Sequence, residues 1–174
     1  ISSIKINGVL HEFSTIEGVK EDVADIIMNL KKVRFRLMDN EPDKLDISIS
    51  GKKVFTAKDI QDASDQFEIL NPDEYITELN SKGKLDMEIR IGIGKGYVPS
   101  EQNDKPNLPV STLSIDSIFN PVTKATFNVQ PVPGAKDPIE ILNIEVETDG
   151  SITAKDAVSY GATYLREHLK FIEA

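Results

Sequence analysis

The chain contains few residues whose types and spacing could perform chemistry. Its only histidines are His11 and His168, and neither has a second histidine at the spacing of a metal-binding pair. There is no cysteine, which excludes disulfides, thiolate metal sites and cysteine nucleophiles. No serine has the Gly-x-Ser-x-Gly surroundings of a nucleophile elbow. The sequence therefore predicts no catalytic residue, no cofactor site and no metal site.

A glycine-rich run and two acids are the remaining candidates. The run begins like a phosphate-binding loop: Gly94-Lys95-Gly96-Tyr97-Val98-Pro99. It lacks the third glycine and the following helix of that motif, and Pro99 indicates a turn after a strand. There the glycines would permit a bulge or the close approach of another backbone. Glu145 and Glu147 share one face of a predicted strand, a pattern typical of a solvated face.

The composition favours protein partners over nucleic acid. Twenty Lys and Arg residues against 29 Asp and Glu give a net charge of −9 over 174 residues. Since proteins bind duplexes largely by placing cations on phosphates, direct nucleic-acid binding is not expected. No apolar run approaches the roughly 20 residues that cross a bilayer. Without cysteine, and without a signal peptide before Ile1, the chain is expected to be a fragment from a reducing compartment such as the bacterial cytoplasm.

Hydrophobic periodicity predicts an α+β fold of mainly antiparallel strands with two main helices. The first helix is expected over residues 19–30, with Ser14 and Glu17 as its capping box. Residues 33–37 and 45–49 are expected to form a hairpin around a turn at 40–43, and residues 94–112 a loop. Further strands are predicted at residues 4–10, 67–70, 75–79, 85–93, 115–119, 126–129 and 141–147, and a helical turn at 56–60.

The second helix carries a signal for association. It is expected to begin at Thr153, with Asp156 at the third position of its cap. Apolar residues then follow at steps of 4, 3, 4 and 3, the spacing of a heptad stripe: Val158, Ala162, Leu165, Leu169 and Ile172. Residues 120–174 offer only two strands and this helix, which is too little to be stable alone. The stripe must cover either the first part of the chain or another chain, and the pattern leaves both open.

Five runs of residues are distinctive when they are taken together in chain order. They are INGVLHEFSTIEGVKED at 6–22, IMNLK at 27–31, GKGYVP at 94–99, IDSIFNPV at 115–122 and IEVETDGSI at 144–152. Together they resemble the N-terminal region of the bacterial RNA polymerase α-subunit family. The resemblance implies an insert domain at 1–119 and the C-terminal half of a dimerisation domain at 120–174. The other half of that domain is expected before Ile1.

By this resemblance the chain is part of an assembly subunit, which dimerises and provides the platform for the β and β′ subunits. It implies no catalytic residue, no cofactor, and no contact of this portion with nucleic acid or membrane. Lys31 and Ile115 match family positions implicated in contacting β′, the run Gly94 to Pro99 resembles a stretch that faces the large subunits, and the heptad stripe lies on the dimer helix.

Other interpretations of the same residues remain open. Lys31 could instead be a cation that complements the dipole at a helix end, and Ile115 a buried strand residue. The alternative function is an autonomous β-rich protein-binding module of unknown ligand. A carboxylate-dependent hydrolase is a third.

Overall fold

The computed structural model describes residues 1–38, 44–103, 107–134 and 137–173, so the turn expected at 40–43 lies outside the described residues. The chain divides into two compact units: unit 1, Ile1–Phe119, and unit 2, Asn120–Ala174. Every strand pair among the described residues is antiparallel, and the two longest helices have 8 and 16 residues. The α+β class is therefore confirmed. No helix in the described ranges is long and apolar enough to cross a membrane.

Unit 1 is built on one four-stranded sheet. In chain order its elements are β1 (Ser3–Ile6), α1 (Val23–Leu30), β2 (Phe35–Leu37), β3 (Leu45–Ser50), β4 (Lys53–Thr56), α2 (Ala57–Gln61), β5 (Phe67–Ile69), β6 (Tyr75–Leu79), β7 (Lys84–Arg90), β8 (Tyr97–Val98), α3 (Ser100–Asn103), β9 (Thr112–Ser114) and β10 (Ser117–Ile118). The main sheet has the order β3-β7-β1-β9, and the other strands pair as β2-β5, β4-β6 and β8-β10.

The core of unit 1 lies on one face of the main sheet. Leu45, Ile47 and Ile49 are buried and alternate with exposed residues along β3, because successive side chains of a strand point to opposite faces. Helix α1 adds an apolar stripe to the same cluster: Val23, Ile26, Ile27 and Leu30. The helix and the sheet therefore hold each other in place by burying one shared apolar surface.

Helix α1 begins later than the sequence predicts. It starts at Val23, and its N-cap is Asp22, whose carboxylate accepts a hydrogen bond from the Asp25 N–H at 2.8 Å. The predicted capping box of Ser14 and Glu17 is therefore wrong.

The residues just before α1 are not helical because they join β6. Val19 forms an isolated β-bridge with Leu79. Gly18 has a φ of 78°, which favours glycine, and it approaches Gly83 closely. A Cβ added to Gly18 would lie 2.6 Å from the Gly83 Cα. The spacing of Val19 predicts a helical residue, but the contact of its neighbour Gly18 with Gly83 and the bridge to Leu79 keep Val19 outside the helix.

The carboxylate of Glu21 fixes the segment before α1 to β6. It accepts hydrogen bonds from the Tyr75 hydroxyl at 2.7 Å, the Thr77 hydroxyl at 2.7 Å and the Glu78 N–H at 3.1 Å. Burial opposes the charged form of Glu21, but the three donors outweigh burial and lower the pKa of this carboxyl. Burial and the adjacent carboxylate raise the pKa of Tyr75 to about 12.

Replacing Glu21 by alanine is expected to lower the free energy of unfolding by about 2–3 kcal/mol, because the fully buried Thr77 hydroxyl loses its acceptor. Urea unfolding at neutral pH measures this loss. The exposed Glu17→Ala control is expected to change stability by less than about 0.5 kcal/mol, and equal effects would contradict the role of Glu21. Because the pKa of Glu21 is lowered in the folded state, its contribution is complete above the ordinary glutamate pKa of about 4.3. It is lost as the pH falls through the folded pKa.

The expected hairpin of residues 33–37 and 45–49 is wrong. Strand β2 pairs with β5, and β3 pairs with β7. Strand β7 offers β3 an apolar partner at each buried position, such as Met87 opposite Ile47, whereas β2 has only three residues. Matching apolar faces therefore override closeness in the chain. The helical turn at 56–60 agrees with α2, and the strands predicted at 67–70 and 75–79 agree with β5 and β6. The strand predicted at 85–93 corresponds to β7, which ends three residues earlier, at Arg90.

Unit 2 is a two-stranded ribbon followed by a helix. Its elements are β11 (Val122–Pro131), β12 (Glu140–Thr148) and α4 (Ala154–Leu169). The Thr153 hydroxyl accepts a hydrogen bond from the Asp156 N–H at 3.1 Å, as the sequence predicts for the cap of this helix. Because α4 ends at Leu169, the last residue of the predicted stripe, Ile172, lies in a turn beyond the helix, and that part of the prediction is wrong.

The ribbon has an apolar face that remains exposed in this chain. Directly opposed residues share a face, and the register places these apolar side chains together: Ala125, Phe127, Val129, Leu142, Ile144 and Val146. Phe127 is 76% exposed and Leu142 is 58% exposed. No residue that the structure describes in unit 2 is buried. Two strands and a helix without a buried side chain do not make a stable domain alone.

Candidate functional site

Lys31 and Asp116 form the centre of a candidate contact site on unit 1. Lys31 is the C-cap residue of α1, where the helix dipole favours a cation. Its Nζ lies 2.9 Å from Asp116 Oδ2, and the two side chains are 27% and 30% exposed. The ion pair joins α1 to the segment between β9 and β10 at the surface of the unit.

The carboxylate of Asp116 also binds residues next to the glycine run. Its Oδ1 accepts the Ser100 N–H at 3.0 Å, directly after the end of the run at Pro99. The hydrogen bond from Lys31 is the main cause of a lowered pKa of Asp116, and the carboxylate in turn raises the pKa of Tyr97. One carboxylate therefore connects α1 and α3.

The glycine run makes a bend that leads into β8. Gly96 has a φ of 65°, and its carbonyl accepts the Phe119 N–H at 2.7 Å. Gly94 lies against the Phe119 ring, since an added Cβ would lie 2.5 Å from ring carbons. Tyr97 remains 61% exposed at the end of this bend. Gly94 therefore has a close neighbour, but this neighbour is an aromatic ring and not the backbone that the sequence predicts, and nothing lies within 4 Å of a Cβ added to Gly96.

A helical turn does follow the glycine run, contrary to the sequence prediction. The predicted loop at 94–112 contains β8, α3 and the beginning of β9. However, the first N–H of α3, from Ser100, already donates to the Asp116 carboxylate. The end of α3 that would face a phosphate is thus occupied by an acid of the same chain.

Ile115 lies beside this centre but is buried. Its side chain is 3% exposed and belongs to the core of unit 1. A groove of about 520 Å³ passes it, between α1 and the segment of β9, and Lys31 and Asp116 also line this groove. Two sequence-predicted residues, Lys31 and Ile115, therefore meet at one place. The glycine run leads to that place through Ser100, which follows Pro99 and donates its N–H to Asp116.

Two parts of this site have no role in the sequence predictions. Asp116 is separated from Lys31 by 85 residues, so no local spacing indicates the pair. Met28 lines the groove and is 60% exposed. It lies next to the buried Ile27 on α1, and an apolar residue outside the buried stripe of an amphipathic helix is the signal that could have identified it.

The acids and histidines considered for catalysis do not converge. Glu145 and Glu147 are exposed on β12, and the Glu147 Oε1 lies 3.3 Å from the Lys124 Nζ. His168 Nδ1 is 2.9 Å from the Tyr164 carbonyl oxygen, within one helix. In the part of the chain that the structure describes, no group of three or more His, Asp or Glu residues could hold a metal ion.

Comparison with known proteins gives a consistent similarity. Residues 4–120 match the family described as RNA polymerase Rpb3/RpoA insert domain. The DNA-directed RNA polymerase subunit alpha of Salinibacter ruber is 43% identical over 172 residues, which cover 98% of this chain and 52% of that protein. The subunit of the same name from Alkaliphilus oremlandii is 49% identical over 170 residues, which cover 97% and 53%. The chain spans about half the length of the curated relatives it matches.

Proposed function

The chain belongs to the RNA polymerase Rpb3/RpoA insert-domain family, and on this basis we propose that it forms part of an assembly subunit of a bacterial DNA-directed RNA polymerase. The observation that carries the proposal is the family match over residues 4–120, extended by 43% and 49% identity to subunits alpha along nearly the whole chain. The role of such a subunit is to dimerise and to bind the β and β′ subunits.

In this proposal, unit 1 is the insert domain and unit 2 is the C-terminal half of the dimerisation domain. The exposed apolar face of the ribbon supports the second assignment, because it needs a cover that unit 2 does not itself supply. The relatives are about twice as long as the matched stretch, so a whole subunit has residues that could supply it. The stripe of Val158, Ala162, Leu165 and Leu169 then packs against a second copy of the subunit.

Unit 1 contributes the contacts with the large subunits. Of the proposed contact residues, Lys31 is the best placed to touch a partner, since it is partly exposed and lines the groove. Within the glycine run, β8 contains Tyr97 and Val98, and Tyr97 is the more exposed of the two. Ile115 acts from beneath, as a buried residue that supports Asp116.

The proposed subunit contributes no catalytic residue and binds no cofactor. Its work takes place in the cytoplasm, without a membrane and without direct contact of this portion with nucleic acid. The net charge of −9 supports contacts with proteins over contacts with phosphates. An autonomous protein-binding module is less well supported, because such a module would be expected to bury the apolar faces of unit 2 itself.

Co-purification of the whole subunit with β and β′ tests the proposal. We expect the wild-type subunit to bring down both, and Lys31→Glu to lower the yield of β′ at least tenfold while β is retained. A glutamate at position 31 would face Asp116, abolish the ion pair and replace the cation offered to the partner by an anion. Failure of the wild-type subunit to bind either large subunit would contradict the proposed function.

Two control variants separate the partner contact from the internal ion pair. Lys32→Glu changes the exposed neighbour of Lys31 and is expected to leave the yield of β′ unchanged. The double variant Lys31→Asp with Asp116→Lys restores the internal ion pair but moves the cation from the end of α1 to the segment between β9 and β10. If this exchange restored β′ binding, Lys31 would serve only the structure of unit 1.

A further inference from the structure

The outer edge of β9 is the most unusual feature of the groove. β9 is a terminal strand of the main sheet and pairs only with β1 among the described strands. The Ile115 N–H donates to the Ser2 carbonyl at 3.0 Å, and hydrogen-bonded pairs alternate along an antiparallel ladder. Leu113 therefore faces β1, and the backbone groups of Thr112 and Ser114 point away from the sheet.

Most of these outward backbone groups form no hydrogen bond with a residue that the structure describes. The Thr112 N–H donates to the Pro109 carbonyl at 3.1 Å. The Thr112 carbonyl and both backbone groups of Ser114 have no hydrogen-bond partner within the described ranges. A row of unpaired backbone groups at a sheet edge is a template on which another strand can form. Thr112 to Ser114 also line the groove of about 520 Å³, which leaves open space beside β9.

The walls of the groove indicate what kind of strand would fit. Met28 and Ile27 on α1 provide an apolar wall. Glu12 and Glu101 line the groove, are exposed, and form no ion pair with any residue that the structure describes. The charge of Lys31 is already offset by Asp116. The net charge at the groove is therefore negative, which favours a basic partner.

We propose that β9 binds an extended segment of a partner subunit by strand addition, with backbone bonds to Ser114 and with a lysine or arginine of the segment near Glu12 and Glu101. Backbone bonds would hold the segment, and the apolar wall and the acids would select its side chains. The inference rests on the proposed function in one respect, namely that the partner is another polymerase subunit.

Hydrogen exchange in the assembled enzyme tests this geometry. In the complex of the whole subunit with β and β′, the Ser114 amide is expected to exchange at least 100-fold more slowly than in the free subunit. Ser114→Pro removes an outward N–H and no hydrogen bond to β1, and it is expected to weaken partner binding at least tenfold. Ser50→Pro is the matched control, because Ser50 lies on the opposite edge strand, β3, and also turns its N–H away from the sheet. Its binding is expected to equal that of the wild type.

Charge reversal tests the basic character of the segment. The pair Glu12→Lys and Glu101→Lys is expected to weaken binding at least tenfold, whereas Asp65→Lys with Asp73→Lys, two exposed acids outside the groove lining, should have no effect. Unchanged exchange at Ser114 in a complex that does assemble, or equal binding by the two proline variants, would overturn the strand addition and leave the proposed function intact. Wild-type binding by the charge-reversed groove would overturn the basic segment. Absence of any complex would overturn both proposals.

Discussion

Replacing Leu165 and Leu169 together by aspartate is expected to raise the dissociation constant of the subunit dimer at least 1,000-fold. Both side chains are more than half exposed on α4, at 65% and 57%, and the proposed function buries them against a second copy. An aspartate without a partner in an apolar interface costs about 2 kcal/mol or more, and each 1.4 kcal/mol is about tenfold in affinity. Sedimentation equilibrium of the whole subunit measures the change.

A matched variant distinguishes this effect from added negative charge. Ser159→Asp with Thr163→Asp introduces the same two charges on α4 at exposed positions outside the apolar stripe. This variant is expected to dimerise as the wild type does. If both variants dimerised equally well, or equally badly, the stripe would not be the dimer contact.

Replacing Gly18 by alanine is expected to destabilise unit 1 by about 3–5 kcal/mol. Two causes act together. The φ of 78° costs a residue with a Cβ about 1–2 kcal/mol. The new Cβ would also lie 2.6 Å from the Gly83 Cα and 2.7 Å from its N, and backbone atoms cannot move aside as a flexible side chain can. Urea unfolding, followed by circular dichroism, measures the loss.

Gly8→Ala separates the two causes. Gly8 has a similar φ of 82°, but nothing lies within 4 Å of a Cβ built there. Its alanine variant is expected to lose only about 1–2 kcal/mol, the cost of the backbone conformation. If the two variants lost the same free energy of unfolding, the contact of Gly18 with Gly83 would not contribute to fixing the chain before α1.

Features that depend on near neighbours in the chain could be predicted from the sequence. The cap of α4 needs only Thr153 and Asp156, three residues apart, and it is present. The alternation along β7 is also local, and one buried face is enough to specify it. Two of the wrong predictions concern partners at a distance: β3 pairs with β7 and not with β2, and Gly18 contacts Gly83 just before α1 begins.

In the candidate site, too, some residues could be predicted from the sequence and others could not. Lys31 and Ile115 were found by a resemblance of short runs, and the structure places both at one groove. The residue that organises that place, Asp116, could not be found by spacing, because its bonds to Lys31 and Ser100 cross 85 and 16 residues. The free edge of β9 could not be found either, because strand order is a property of the whole sheet.

Sedimentation velocity of purified β with this chain, and with the whole subunit, tests the central claim most directly. The claim is that unit 2 is half of a dimerisation domain, and that the subunit assembles with β only when the rest of that domain covers the apolar ribbon. We expect residues 1–174 to sediment separately from β at micromolar concentrations, and the whole subunit to sediment with β as a complex that contains two copies of the subunit. Stable binding of β by residues 1–174 alone would contradict the claim.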